Sequence, residues 1–175
     1  MTDFTQTDDF TPQASTLFNH DCEMLLLGGL LLAGSEHFEH VMPLTPQDFH
    51  DPRCMAVFRG FLKAYQDGKA GTVFDVAEAL GDDEVASIGG FEFIQALASY
   101  WPSVAKMKRW AGMIRDMAAT RRLLQALAEA QDVVMGDGDL ESKIDQVQNL
   151  IAPVAAAQIR KAPRSLREVA IARTD

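Results

Sequence analysis

His37 and His40 stand three residues apart, flanked by Glu36 and Glu39, a spacing that places two imidazoles on one side of a helix. Two such ligands begin a metal site, but a structural zinc takes four and a catalytic zinc needs a third protein ligand. A metal-dependent hydrolase built on this pair is therefore a minor reading beside the main one. Gly136-Asp137-Gly138-Asp139 resembles a calcium loop but lacks the alternating oxygen ligands and terminal glutamate of an EF-hand; it reads as a chain reversal. Ser35, two residues before His37, has no group to orient a base and suits a helix cap. Gly28-Gly29 follows no strand and precedes no Lys-Ser/Thr pair, so it is not a phosphate loop. Trp101 and Trp110 could stack bases, but Trp110 falls on an apolar helical stripe, where packing accounts for it. Cys22 and Cys54 sit beside apolar segments and read as buried free thiols of a reducing compartment. No catalytic group, cofactor or metal is expected on these grounds.

The elements that carry these residues are helical. Met24 to Leu32 is apolar all round and, at nine residues, too short to cross a bilayer, so it is a core helix covered by protein. Gly34 stops it, and Ser35 is expected to cap the next. Thr45-Pro46-Gln47-Asp48 and Asp51-Pro52 are two capped starts, the second opening a helix whose apolar face is expected to be Met55, Phe58, Leu62 and Tyr65. Thr72 to Asp75 is a further capping box, Gly81-Asp82-Asp83 a turn, and Phe91, Ile94, Leu97 and Ala98 a helical face closed by Tyr100-Trp101-Pro102. A long helix follows from Ser103 to about Met135, with Met107, Trp110, Ile114 and Met117 as its stripe. Asp139 caps a return helix marked by Leu140, Ile144, Val147, Ile151 and Val154. No segment alternates with period two for long enough to be a strand. The expected fold is all-α: a globular bundle of about six helices, then an antiparallel helical hairpin. The boundaries are a flexible acidic tail over 1–16, the bundle over 17–118, the hairpin over 119–160, and a linker with the start of a linker helix over 161–175, where Ser165 and Glu168 form a capping box.

With 47% hydrophobic residues the 175-residue chain is globular, and its net charge of −9 argues against a general nucleic-acid surface. No Lys or Arg precedes Arg53, whereas Lys106, Lys108, Arg109, Arg115, Arg121 and Arg122 cluster against Asp116. The basic stretch is either a solvated face or a face that meets an acidic partner, including the acidic front of another copy. The start has neither the basic residues nor the apolar middle of a secretory signal, which points to the cytoplasm and away from membranes.

Glu23-Met24-Leu25-Leu26-Leu27-Gly28-Gly29-Leu30-Leu31-Leu32, Leu44-Thr45-Pro46-Gln47-Asp48-Phe49-His50, Phe58, Tyr65-Gln66-Asp67-Gly68-Lys69, Asp75, Ile88-Gly89-Gly90-Phe91 and Pro102-Ser103-Val104-Ala105 follow one another in order. In that order and spacing the chain resembles the N-terminal domain of DnaB-type replicative helicases over residues 19 to 172. The resemblance implies a non-catalytic part in DNA replication: assembling a ring collar and offering a docking surface to primase, to the helicase motor domain or to a helicase loader. Arg121 matches the family's arginine at its place. No Gly-x-x-x-x-Gly-Lys-Ser/Thr occurs in the sequence, so ATP hydrolysis is not expected of this chain. The family's ATPase domain would follow, and the expectation is either an N-terminal piece of a helicase or a separate protein that kept the collar. A phage or plasmid adaptor that binds a host helicase or primase would fit the same residues, as would a primase-type helicase-binding domain. The interface residues expected are Arg121, Arg122, Leu127, Ala130, Ile144, Val147 and Ile151, with self-association through the hairpin and weak or no direct DNA binding.

Overall fold

The computed structural model describes residues 17–42, 44–99 and 104–159. The expected tail over 1–16, the Tyr100-Trp101-Pro102 break and the Ser165 capping box lie outside the described residues. Among those described there are seven α-helices, two short 3-10 segments and no strand. No helix among them is long and apolar enough to cross a membrane. The chain divides into two units at Ala118/Ala119.

In the first unit, Asn19 starts helix α1 (His20–Ala33) by accepting the Cys22 N–H on its side chain at 3.0 Å. Leu26, Leu27, Leu30 and Leu31 of α1 are buried, as are Gly28 and Gly29. Leu32 is a correction to all-round burial, since it stands 58% exposed. A 3-10 segment (Gly34–His40) follows without a side-chain cap. Ser35 thus does not cap; its backbone N–H donates to the Ala70 carbonyl at 2.8 Å and ties this segment to the loop after α2.

Both capped starts form. The Thr45 N–H and hydroxyl donate to the Asp48 carboxylate at 2.8 and 3.1 Å, over a 3-10 turn at Pro46–Asp48. Asp51 accepts the Arg53 N–H at 2.8 Å and opens α2 (Pro52–Gln66). The buried stripe of α2 is Cys54, Val57, Phe58, Phe61 and Ala64, while Met55 and Leu62 are only partly buried and Tyr65 is 43% exposed. The observed stripe is therefore rotated by about one position from the expected one. Met55, Phe58, Leu62 and Tyr65 keep helical spacing, but so does the set offset from them, and the second set packs on α1 and α3. Full burial of Phe58 and Phe61 contributes about 1.5–3 kcal/mol each. Their rings meet Phe49 and Phe38 at 4.8 and 5.7 Å between centroids.

Thr72 and Asp75 exchange the expected capping bonds at the start of α3 (Val73–Leu80). Gly60 of α2 lets α3 approach closely: a Cβ there would lie 2.8 Å from Leu80 Cγ and 3.0 Å from Val76 Cγ1. Asp82 and Asp83 are not a turn, as expected, but the first residues of α4 (Asp82–Ser87). Gly81, at φ +84°, makes the turn alone, and three acids in the first turn complement the helix dipole. The Arg59–Glu84 ion pair and the Lys63 ammonium on the Ala79 carbonyl lace α2 to this region. Ile94 and Leu97 of α5 (Phe91–Ser99) complete a core in which α5 packs on α1 and α3.

Helix α6 (Val104–Met135) carries Met107, Ala111, Ile114 and Ala118 buried in the first unit, with Trp110 partly buried against its core. In the second unit Ala126 and Ala130 of α6 are buried. The chain reverses at Gly136–Gly138, and Asp139 caps α7 (Leu140–Ile159) by accepting the Ser142 N–H at 2.9 Å. Lys143 reaches back to the Val134 carbonyl at 3.0 Å and closes the turn. Pro153 lies inside α7, an interruption not anticipated from the apolar spacing.

Candidate functional site

Polar side chains of the first unit converge where α1 and α2 begin. Glu23, in the first turn of α1, is 2% exposed, a burial that an acid tolerates only with strong partners. It has them: its carboxylate accepts the His50 N–H at 2.7 Å and the Asp51 N–H at 3.1 Å. These two bonds hold the approach to α2 against the start of α1. The His50 ring stacks on Phe18 with centroids 4.2 Å apart. Asp51, held by its backbone, caps α2 and receives Arg53, whose guanidinium lies 2.9 Å from Oδ2 and 4.6 Å from the centre of the Phe93 ring.

Phe18, His20, Glu23, His50, Asp51, Pro52 and Arg53 line a cleft of about 340 Å³. His20 Nδ1 is 3.5 Å from Asp51 Oδ2. Burial alone would raise the Asp51 carboxyl, but the hydrogen bonds and charge of Arg53 outweigh it and hold the group below the ordinary aspartate range. Beneath lies Cys54, fully buried and free, its thiol pushed well above the usual range by burial first and then by Asp51 and Glu23. His20, Asp51 and Cys54 each offer a ligand atom, all within 4.8 Å of one another. Sequence reasoning missed this group because its members lie on two helix starts some thirty residues apart. Cys22 is also free and buried. His37 is half-buried in the 3-10 segment after α1.

Lys108 and Arg115 of the basic stretch line a second groove with Glu39, Met42, Ala111 and Gly112. Lys106, Lys108 and Arg109 are exposed, whereas Arg115 is half-buried with its Nε lacking a hydrogen-bond partner.

The expected interface residues all fall in the second unit. Arg121 is half-buried and Arg122 exposed, and neither is a free cation. Leu127 and Ile144 are 47% and 48% exposed, Val147 and Ile151 are half-buried, and Ala130 belongs to the unit's interior. Leu123, Leu124, Val134, Met135 and Leu140 extend the exposed apolar set.

Residues 15–116 match the family described as the DnaB-like helicase N terminal domain. Over 155 residues, 87% of the chain, it is 25% identical to the replicative DNA helicase DnaB of Leifsonia xyli subsp. xyli, of which 34% is covered. It is 22% identical to the replicative DNA helicase DnaB of Geobacillus stearothermophilus over 86% of the chain and 34% of that protein. The chain thus spans about a third of the length of these curated relatives. Among solved structures, the N-terminal domain of DnaB helicase from Mycobacterium tuberculosis superposes with a TM-score of 0.70 at 26% identity, over 77% of this chain and 96% of that one.

Proposed function

The chain belongs to the family of DnaB-like helicase N-terminal domains, and from that membership we propose that it acts in DNA replication, in the cytoplasm, as a non-catalytic assembly and docking module. One observation supports this reading above others: the second unit leaves large apolar side chains in solvent. Leu123, Leu127 and Val134, separated by four and seven residues, share a face of α6 and are 39%, 47% and 55% exposed; Leu140 and Ile144 of α7 are 75% and 48% exposed. Apolar surface of this kind marks an interface. Its first occupant is a second copy of the chain, which builds a collar, and the assembled collar receives primase, the helicase motor domain or a loader. Arg121 and Arg122 point about 100° apart, so one lies towards the seam and the other outward. Arg121 is the partner-facing member.

Light scattering across a concentration series tests the assembly. Ile144→Asp should weaken self-association by about tenfold or more, since a charge would enter an apolar contact. Arg121→Met should leave helicity unchanged and reduce capture of primase, motor domain or loader, with Arg122→Met doing less. A strict monomer at high micromolar concentration, or an oligomer indifferent to Ile144→Asp, overturns the proposal.

A further inference from the structure

We propose that His20, Asp51 and Cys54 bind a zinc-like divalent ion at the joint between the starts of α1 and α2, with the fourth ligand position open to water. The three ligand types converge from two elements, with His20 Nδ1 and Asp51 Oδ2 already 3.5 Å apart and every ligand atom within 4.8 Å of the others. Their chemistry selects the ion. Magnesium and calcium are held by oxygen, whereas imidazole, thiolate and carboxylate together suit zinc or cobalt. Bonds of about 2.0–2.3 Å in a tetrahedral site place a nitrogen and an oxygen about 3.3 Å apart and a sulfur about 3.6 Å from either, so the set has to contract by up to ~1.3 Å.

The contraction falls on the side chains able to move. His20 is the first residue of α1 and its side chain is 43% exposed, so its ring turns without disturbing the core. Asp51 divides its work: Oδ1 accepts the Arg53 N–H and keeps the α2 cap, while Oδ2 faces His20. The Arg53 guanidinium, 47% exposed, gives up Oδ2 and retains the Phe93 ring beside it. Cys54 is the fixed point, anchored in the core.

Glu23 supplies the support behind the ligands. By holding the His50 and Asp51 N–H groups it fixes the backbone from which Asp51 projects, as outer partners do in metal sites generally. The cleft lined by Phe18, His20, His50 and Pro52 is the entry path. On binding, the Cys54 S–H bond breaks, its proton goes to solvent and the sulfur bonds the ion as thiolate. One thiolate and one carboxylate then balance the double positive charge of the ion. The proposal is independent of the replication reading, since it concerns only the first unit's own side chains.

Cobalt(II) titration of the full chain, stripped of metal and kept under a non-chelating reductant, tests it. One equivalent should produce a thiolate-to-cobalt charge-transfer band in the near ultraviolet and visible bands of tetrahedral intensity, and zinc should abolish both. Cys54→Ser should remove the charge-transfer band, and Cys22→Ser should keep it. His20→Ala, an exposed change whose unfolding curve without metal should match the parent's, should weaken binding by more than the about 10–100-fold that loss of an outer partner costs. Cobalt bound without the charge-transfer band overturns the site, and so does equal affinity in His20→Ala and the parent.

Discussion

Glu23 is an acid on a helix whose other inward residues are mostly leucines, and what it does depends on atoms far away in the chain. Its carboxylate is bonded to two backbone N–H groups 27 and 28 residues on, and removing it leaves both donors without that partner in a partly buried place. Glu23→Ala should therefore cost about 2–4 kcal/mol, read as a lowered midpoint in denaturant unfolding with an unchanged slope. An effect under ~0.5 kcal/mol would mean that water replaces the carboxylate there. Such a role is not legible in the sequence. A Glu in the first turn of a helix is already explained by the dipole, and nothing local shows that it turns inward. The same holds for His20, Asp51 and Cys54: each has a local reading as a helix start, a cap and a core thiol, and only the packing of α1 beside α2 brings them together.

Elements whose signals are local were legible. Thr45 with Asp48, Asp51 with Pro52, Thr72 with Asp75, and Asp139 all act where their spacing put them, because a cap depends on only three or four residues of chain. The stripe of α2 was not, since two overlapping apolar sets satisfy helical periodicity and the choice is made by neighbours: Gly60 admits α3 on one side, and Tyr65 is left outside. Asp75 carries a pH dependence. Its carboxyl is held below the ordinary range chiefly by the Thr72 N–H, then by the Thr72 hydroxyl. A depressed folded pKa means that the stability it contributes is fully present above the unfolded value of about 3.9 and is lost as pH falls through the folded one. Asp75→Asn should flatten the acid limb of the stability curve, an effect kept small by nearby solvent. Thr72→Ala should cost about 1 kcal/mol at neutral pH. Unfolding midpoints of parent and variants between about pH 7 and roughly pH 3 check both. An unaltered acid limb in Asp75→Asn would show that the carboxylate is not the titrating group.

The all-α architecture was visible in the sequence because no stretch alternates, and because apolar residues recur at helical spacing from Met24 to Val154. Whole-molecule charge sets an expectation as well. With −9 overall and only six of its sixteen Lys and Arg on α6, the chain can neutralise few phosphates at once. Single-stranded DNA should bind weakly, with affinity falling steeply as salt rises. A nanomolar complex at physiological salt, measured by fluorescence anisotropy, would make α6 a dedicated nucleic-acid groove. Protection from solvent should not be even along the molecule. Pro153 has no N–H to give the Asn149 carbonyl one turn earlier, so the hydrogen-bond ladder of α7 is broken there. The segment beyond it can open without the rest of the helix. In deuterium exchange the amides from Val154 to Ile159 should label well before those of Ile144 to Leu150, and Pro153→Ala should close that gap by letting the end of α7 open only together with its beginning.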